Sequence, residues 1–150
     1  MKRIVYLISL LLVLFLTSCE QNPRYSDLDG FWQVRSVEDK ASSITGDAKG
    51  RLYISFECDL VKLTYYPEIR NKGSLGHEYI SSYTVQDGIL SFGTFYKYSY
   101  NIAKTEKELA PIQEVAAFGI YHQPDAFHLS ISKKTMMLEN DEVRICLLHY

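Results

Sequence analysis

Between residues 50 and 66 the chain alternates with a period of two, with Leu52, Ile54 and Phe56 on one face and Tyr53, Ser55 and Glu57 on the other. The phase slips at Cys58-Asp59-Leu60, after which Val61, Leu63 and Tyr65 resume the apolar face over Lys62 and Thr64. Successive side chains of a β-strand point to opposite faces, so a run of this kind buries one side only as a strand. A helix would scatter the same residues around its circumference. Two alternating runs that change phase across a short polar break form a tight hairpin. A lone hairpin is at best marginal in water, so the rest of the chain must supply strands that cover its apolar face.

Such strands can be read on both sides. Residues 28–37 open the folded part and hold the one tryptophan of the chain; Gly30 supplies a bend, and Phe31, Trp32 and Val34 supply bulk. Residues 67–76 read as a loop. Residues 78–86 place Tyr79, Ser81, Tyr83 and Val85 on one side, Asp87-Gly88 is a two-residue hairpin signal, and 89–92 return. After Gly93-Thr94, residues 95–101 present Tyr96, Tyr98 and Tyr100 on one face.

Residues 105–119 depart from the pattern. Ile112, Val115, Ala116 and Gly119 recur at helical spacing, Pro111 suits a first turn, and Gly119 suits a C-cap. Strands resume with Phe127, Leu129 and Ile131 on one face, a turn at Lys133-Lys134, a return over 135–138, a turn at 139–141 and a last strand over 143–150. The expected fold is all-β: an antiparallel meander of about eight strands closed into a barrel, with one short helix across or beside it. Closure is favoured because it removes the exposed edges that a meander would leave.

The N-terminus carries a different message. Lys2 and Arg3 precede an apolar run over 4–16, interrupted only by Ser9. A ~30 Å hydrocarbon core wants about 20 apolar residues, so the run reads as a secretory signal, residues 1–18, removed before folding. Leu16-Thr17-Ser18-Cys19 resembles the lipobox of bacterial lipoproteins. That resemblance implies that Cys19 is lipidated and becomes the first mature residue, with several acyl chains holding it stably at a membrane. Residues 19–27 are polar, contain Pro23 and read as a tether, leaving 28–150 as one barrel domain. By the sorting pattern known for enteric bacteria, Glu20 after the cysteine points to the outer membrane.

Cleavage would leave 132 of the 150 residues, and loss of Lys2 and Arg3 would take the formal charge from −2 to −4. A mildly acidic body without a basic cluster argues against nucleic acid as a partner. Cys58 and Cys146 would meet an oxidising compartment, where a bridge is permitted. Two separate thiols, at least one of them buried, are the simpler reading, because free cysteine is itself among the most buried residue types.

Three features together resemble the lipocalin-like lipoprotein domains of Gram-negative bacteria: the lipobox with its short tether, Gly30-x-Trp32 on the first strand, and the ending 131–138 followed by a polar turn and Arg144-Ile145-Cys146-Leu147. The resemblance implies a lipocalin-like barrel in which a basic side chain of the last strand packs against the tryptophan, and Arg144 is the residue so placed. It implies no particular ligand, because fold does not dictate function.

The chemistry-bearing residues point away from catalysis. His77, His122, His128 and His149 show no metal-ligand spacing, and the sequence has no nucleophile elbow, phosphate loop or dinucleotide fingerprint. The acidic residues are scattered along the chain, and nothing in their placement suggests the paired carboxylates of a glycosidase. Neither an enzyme nor a metal or other cofactor is expected. Tyr79, Tyr83, Tyr96 and Tyr98 are the candidate ligand-binding residues, since tyrosine joins apolar area to a hydroxyl that needs a partner when buried. The same rings could instead fill the barrel, the reading preferred for so narrow an interior, or face outward as a partner surface.

Two functions follow. One is a membrane-anchored binding module holding a small apolar molecule in or at the barrel, with residues 110–118 covering one end. The other is a non-enzymatic accessory lipoprotein that engages another envelope protein through its outer face. An open interior favours the first, and an exposed aromatic patch the second.

Overall fold

The structure is a computed structural model of the 150-residue chain, and it describes residues 27–42, 44–48, 50–66, 77–98 and 107–150. The expected signal peptide, Cys19, the tether as far as residue 26, the 67–76 loop and Tyr100 lie outside the described residues.

The strands are β1 (Gly30–Asp39), β2 (Ile44–Asp47), β3 (Leu52–Glu57), β4 (Leu60–Tyr65), β5 (His77–Gln86), β6 (Ile89–Phe92) and β7 (Tyr96–Lys97). A short helix α1 (Ile112–Ala116) follows, then β8 (Asp125–Ser132), β9 (Thr135–Glu139) and β10 (Val143–His149). All pairings are antiparallel, and β1, β3, β4, β5, β6, β8, β9 and β10 form an up-and-down circuit that β10 closes onto β1. This is the expected closed meander barrel of eight strands with one short helix.

Two staves come in two pieces. Strand β1 pairs with β3 through residues 30–33 and with β2 through residues 36–39. Likewise β5 pairs with β6 through residues 83–86 and with β7 at Tyr79 and Ile80. The cause is length, since β1 and β5 each have ten residues and their partners β3 and β6 only six and four. Backbone groups beyond the shorter strand need a second partner. Strand β2, Ile44–Asp47, has no alternation in the sequence that marks it as a strand.

The hairpins follow the turn chemistry. Asp87 and Gly88 both take positive φ (52° and 77°), as a two-residue turn that matches strand twist requires. Cys58 turns β3 into β4 at φ 56°, and Lys133 turns β8 into β9 at φ 55°. Cys58 is exposed, Cys146 is half-buried on β10, and both are free thiols.

The helix is shorter than the spacing suggests, and Pro111 occupies its N-cap position. Ile112, expected on the buried face, is 37 % exposed, while Val115, Phe118 and Ile120 are fully buried. Gly119, at φ 81°, lies against Ile145 and Val37. These residues pair near the end of the β1–β10 ladder away from Trp32 and His149. The segment from Ala110 to Ile120 therefore caps the end opposite Trp32.

Arg144 does not pack on the tryptophan. On β10 the inward positions are Val143, Ile145 and Leu147, so Arg144 points out of the barrel. Its Nη1 reaches Glu38 Oε2 at 3.3 Å and its Nη2 reaches Glu139 Oε1 at 3.0 Å, which Lys40 Nζ also meets at 2.7 Å. Hydrogen bonds from Arg144 and then Lys40 hold the Glu139 carboxyl at about 2, below its ordinary 4.5. A carboxyl depressed by folding contributes stability above its unfolded pKa and loses that contribution as pH falls through its folded pKa. Urea unfolding of the wild type should thus lose stability between about pH 4.5 and 2. Arg144→Ala should be weaker at neutral pH and flatter across that window; an equally steep acid loss in the variant would exclude this network as a source.

Candidate functional site

Of the four tyrosines expected to line a ligand site, the structure brings two together inside. Tyr79 and Tyr83 are 3 % and 4 % exposed on the inner face of β5. Tyr83 donates its hydroxyl to the Cys58 carbonyl at 2.9 Å and meets Phe56 edge-on at 5.0 Å between centroids. Tyr79 donates to the Glu114 carboxylate of α1 at 2.5 Å, and burial, reinforced by that carboxylate, pushes the Tyr79 hydroxyl well above its usual range.

Tyr96 and Tyr98 are not inside. Tyr96 is half-buried on β7, with Lys107 Nζ 5.4 Å from its ring centre, and Tyr98 is 42 % exposed. The inward position there belongs to Phe95, fully buried against Phe92. With β7 only two residues long, the expected alternation over 95–101 is not maintained along the described part of the run.

The middle of the barrel is filled. Val34, Ile54, Leu63, Leu90, Leu138 and Ile145 have no exposed surface, so none borders a space that admits water. Phe92 contacts Phe56, Phe95 and Phe127 with ring centroids 5.7–6.4 Å apart. Eight strands enclose a width that side chains alone can fill. Candidate surfaces are accordingly the two ends and the outer wall.

At the covered end, Val115, Phe118 and Ile120 close the mouth and Glu114 binds Tyr79. The helix has no side-chain cap, and its Pro111 contributes no N–H. At the other end, Trp32 is 1 % exposed, donates Nε1–H to the Leu28 carbonyl at 2.8 Å and is met edge-on by His149 at 4.9 Å. Gly30 makes room for that histidine, because a Cβ there would stand 2.8 Å from His149 Nε2. His149, opposite Trp32 in the ladder, thus takes the position expected of Arg144. An open cleft of about 480 Å³ adjoins this pair, lined also by Asp27, Asp29, Ile131, Lys133 and Lys134.

On the outer wall four rings meet. Phe31 stacks on Tyr53 at 4.7 Å, and Tyr53 meets Tyr66 and Tyr150 edge-on at 5.6 and 6.0 Å. Gln33 Nε2 donates to the Tyr53 hydroxyl at 3.1 Å. Neither this group nor Glu114 stands out in the sequence, and His149 does so only as one of four histidines without metal-ligand spacing. The outward aromatics at 31 and 53 do fall on the polar phase of their strands, which is the one signal that could have flagged them.

Comparison with known proteins agrees with the geometry. The family model described as a lipocalin-like domain matches residues 13–150. A crystal structure of a lipocalin-like protein from Bacteroides uniformis ATCC 8492 superposes with a TM-score of 0.59 at 13 % identity, covering 83 % of this chain and 100 % of that one. An uncharacterized protein from Bacteroides eggerthii DSM 20697 gives 0.56 at 16 %, covering 82 % and 99 %. A search of curated proteins returned no match. The structural likenesses establish the fold alone; with the sequence match over most of its length, the chain belongs to the lipocalin-like domain family.

Proposed function

We propose that this protein is a non-catalytic lipoprotein of the cell envelope, held at the outer membrane through Cys19, whose barrel, filled as it stands, takes up a small, mostly apolar molecule only where that molecule displaces the side chains of the α1 cap. The observation that carries the reading is the bond between Tyr79 and Glu114. It joins a buried hydroxyl of the wall to the cap, so the hydroxyl becomes available when the cap moves. Val115, Phe118 and Ile120 occupy the mouth that a ligand would enter. Exposing three such side chains costs about 4.5–9 kcal/mol in all, at ~1.5–3 each. The cap therefore stays shut until a molecule of comparable apolar area replaces it, with Tyr79 left to orient the polar end of that molecule.

The test is thermal unfolding of the Cys19→Ala chain against a panel of lipids and small apolar molecules. A ligand at 100 times its dissociation constant adds about 2.7 kcal/mol. Tyr79→Phe should weaken that ligand several-fold, and Glu114→Gln, which loosens the cap, should speed its entry. A panel without one stabilising member would remove the reading. The anchor has its own check: wild type should sediment with membranes at high salt and Cys19→Ala should not.

The outer rings favour a second reading, in which the domain is an accessory protein that docks on another envelope protein through Phe31, Tyr53, Tyr66 and Tyr150. Aromatic residues are enriched at such interfaces. On this reading a specific envelope protein should co-purify with the wild type and be lost with Tyr53→Ala, while no small molecule should stabilise the domain.

A further inference from the structure

The cleft beside Trp32 and His149 carries a second assignment. Its rim has two cations on one element and two anions on another: Lys133 and Lys134 on the β8–β9 turn, Asp27 and Asp29 on the segment entering β1. Among the described residues none of the four is engaged in an ion pair. Ile131 and the nearly buried Trp32 also line the cleft, and its volume of about 480 Å³ is within the range of small-molecule sites.

The cationic side is held in place. The His149 N–H donates to the Lys134 carbonyl at 2.7 Å, and Thr135 Oγ1 donates to the Ser132 carbonyl at 2.8 Å, closing the turn. The opposite side is fixed where Trp32 Nε1–H holds the Leu28 carbonyl, between the two aspartates.

A simple anion would meet the aspartates here, and a simple cation would meet the lysines, so charge complementarity disfavours both. A group carrying both signs meets neither penalty. We propose that this cleft binds a zwitterionic head that joins a phosphate to an ammonium, as phosphoethanolamine does. The phosphate sits on the Lys133 and Lys134 ammonium groups, the ammonium on the Asp27 and Asp29 carboxylates, and the linking methylenes against Ile131, close to Trp32. Lysine suits a phosphate as a point charge.

Such a head occurs free or on a membrane lipid. Asp27 is eight residue steps from Cys19, a reach of at most about 29 Å, so an anchored Cys19 would keep this end of the barrel within that distance of the lipid surface. The site itself stands on the cleft alone and is independent of the ligand assigned to the α1 end.

Trp32, the one tryptophan, lines this cleft and supplies a reporter that distinguishes the two ends. The Cys19→Ala chain would be titrated with phosphoethanolamine, with phosphatidylethanolamine vesicles and with phosphatidylglycerol vesicles, following Trp32 emission and co-sedimentation. A saturable emission change with the free head group or with phosphatidylethanolamine is expected. A response to vesicles alone assigns the membrane lipid, and a response to both shows that the head group suffices. The pair Lys133→Ala and Lys134→Ala should weaken binding at least tenfold, and Asp27→Asn with Asp29→Asn should abolish the preference for phosphatidylethanolamine over phosphatidylglycerol. The four positions are on the rim, and circular dichroism of each variant confirms an intact barrel. No emission change with any probe, equal binding of both vesicle types by the unsubstituted rim, or binding indifferent to the lysines would overturn the assignment.

Discussion

Replacing Trp32 with alanine is expected to lower the free energy of unfolding by about 3–5 kcal/mol, the range for truncating a large buried aromatic. Domains of this size have roughly 5–15 kcal/mol in hand, so the variant should sit near the limit of folding. Three losses combine. The indole is 1 % exposed and leaves a void, the Leu28 carbonyl loses its 2.8 Å donor, and His149 loses the ring it abuts at 4.9 Å. Trp32→Phe keeps most of the volume and should cost less, isolating the hydrogen bond. Urea denaturation followed by circular dichroism measures both. In double-mutant cycles, His149→Ala should couple with Trp32→Ala and Arg144→Ala should add to it independently. Coupling to Arg144 instead would contradict the observed packing.

The second large effect is at Gly119. A Cβ there would stand 2.8 and 2.9 Å from Ile145 Cγ1 and Cδ1 and 3.1 Å from Val37 Cγ1, on a backbone at φ 81°. Ile145 has no exposed surface into which it could move. Left-handed backbone costs a non-glycine residue about 1–2 kcal/mol, and overpacking a filled core adds about 1–3. Gly119→Ala should therefore destabilise by about 2–5 kcal/mol, and the damage should begin in the cap. Gly88→Ala is the control: its φ is 77° but nothing lies within 4 Å of the added carbon, so only the backbone cost applies. Equal losses at the two glycines would mean that Ile145 is not in the way.

What could be read from the sequence was whatever one local rule decides. Leu52, Ile54 and Phe56 alternate because one face of β3 is buried and the other is not, and Asp87-Gly88 marks a turn because few residues tolerate its backbone. The β2 strand was hidden: Ile-Thr-Gly-Asp has little alternation, and it pairs because the long β1 needs a partner beyond β3. Arg144 was misplaced by parity, since the adjacent Ile145 takes the inward position. His149 at Trp32 depends on the register of β10 against β1, which shifts between Val34 and Ser36, and on the space above Gly30. No single stretch of sequence encodes that register. Tyr79 was legible as an inward ring, but its partner Glu114 comes from 35 residues away, brought there by the cap.

The seam between β1 and β10 joins Trp32 to His149 and Asp39 to Val143, the earliest and latest strands of the barrel. A nascent or truncated chain that stops short of Val143 has every other wall strand and still cannot seal. Both β1 and β9 would then present open edges, and an open edge is a template for pairing with another chain. Premature release or terminal proteolysis should thus convert a self-contained barrel into a sticky one, by removal of the eight residues 143–150. Such loop closure across the whole domain also slows folding, so the seam is expected to form last and to set the rate.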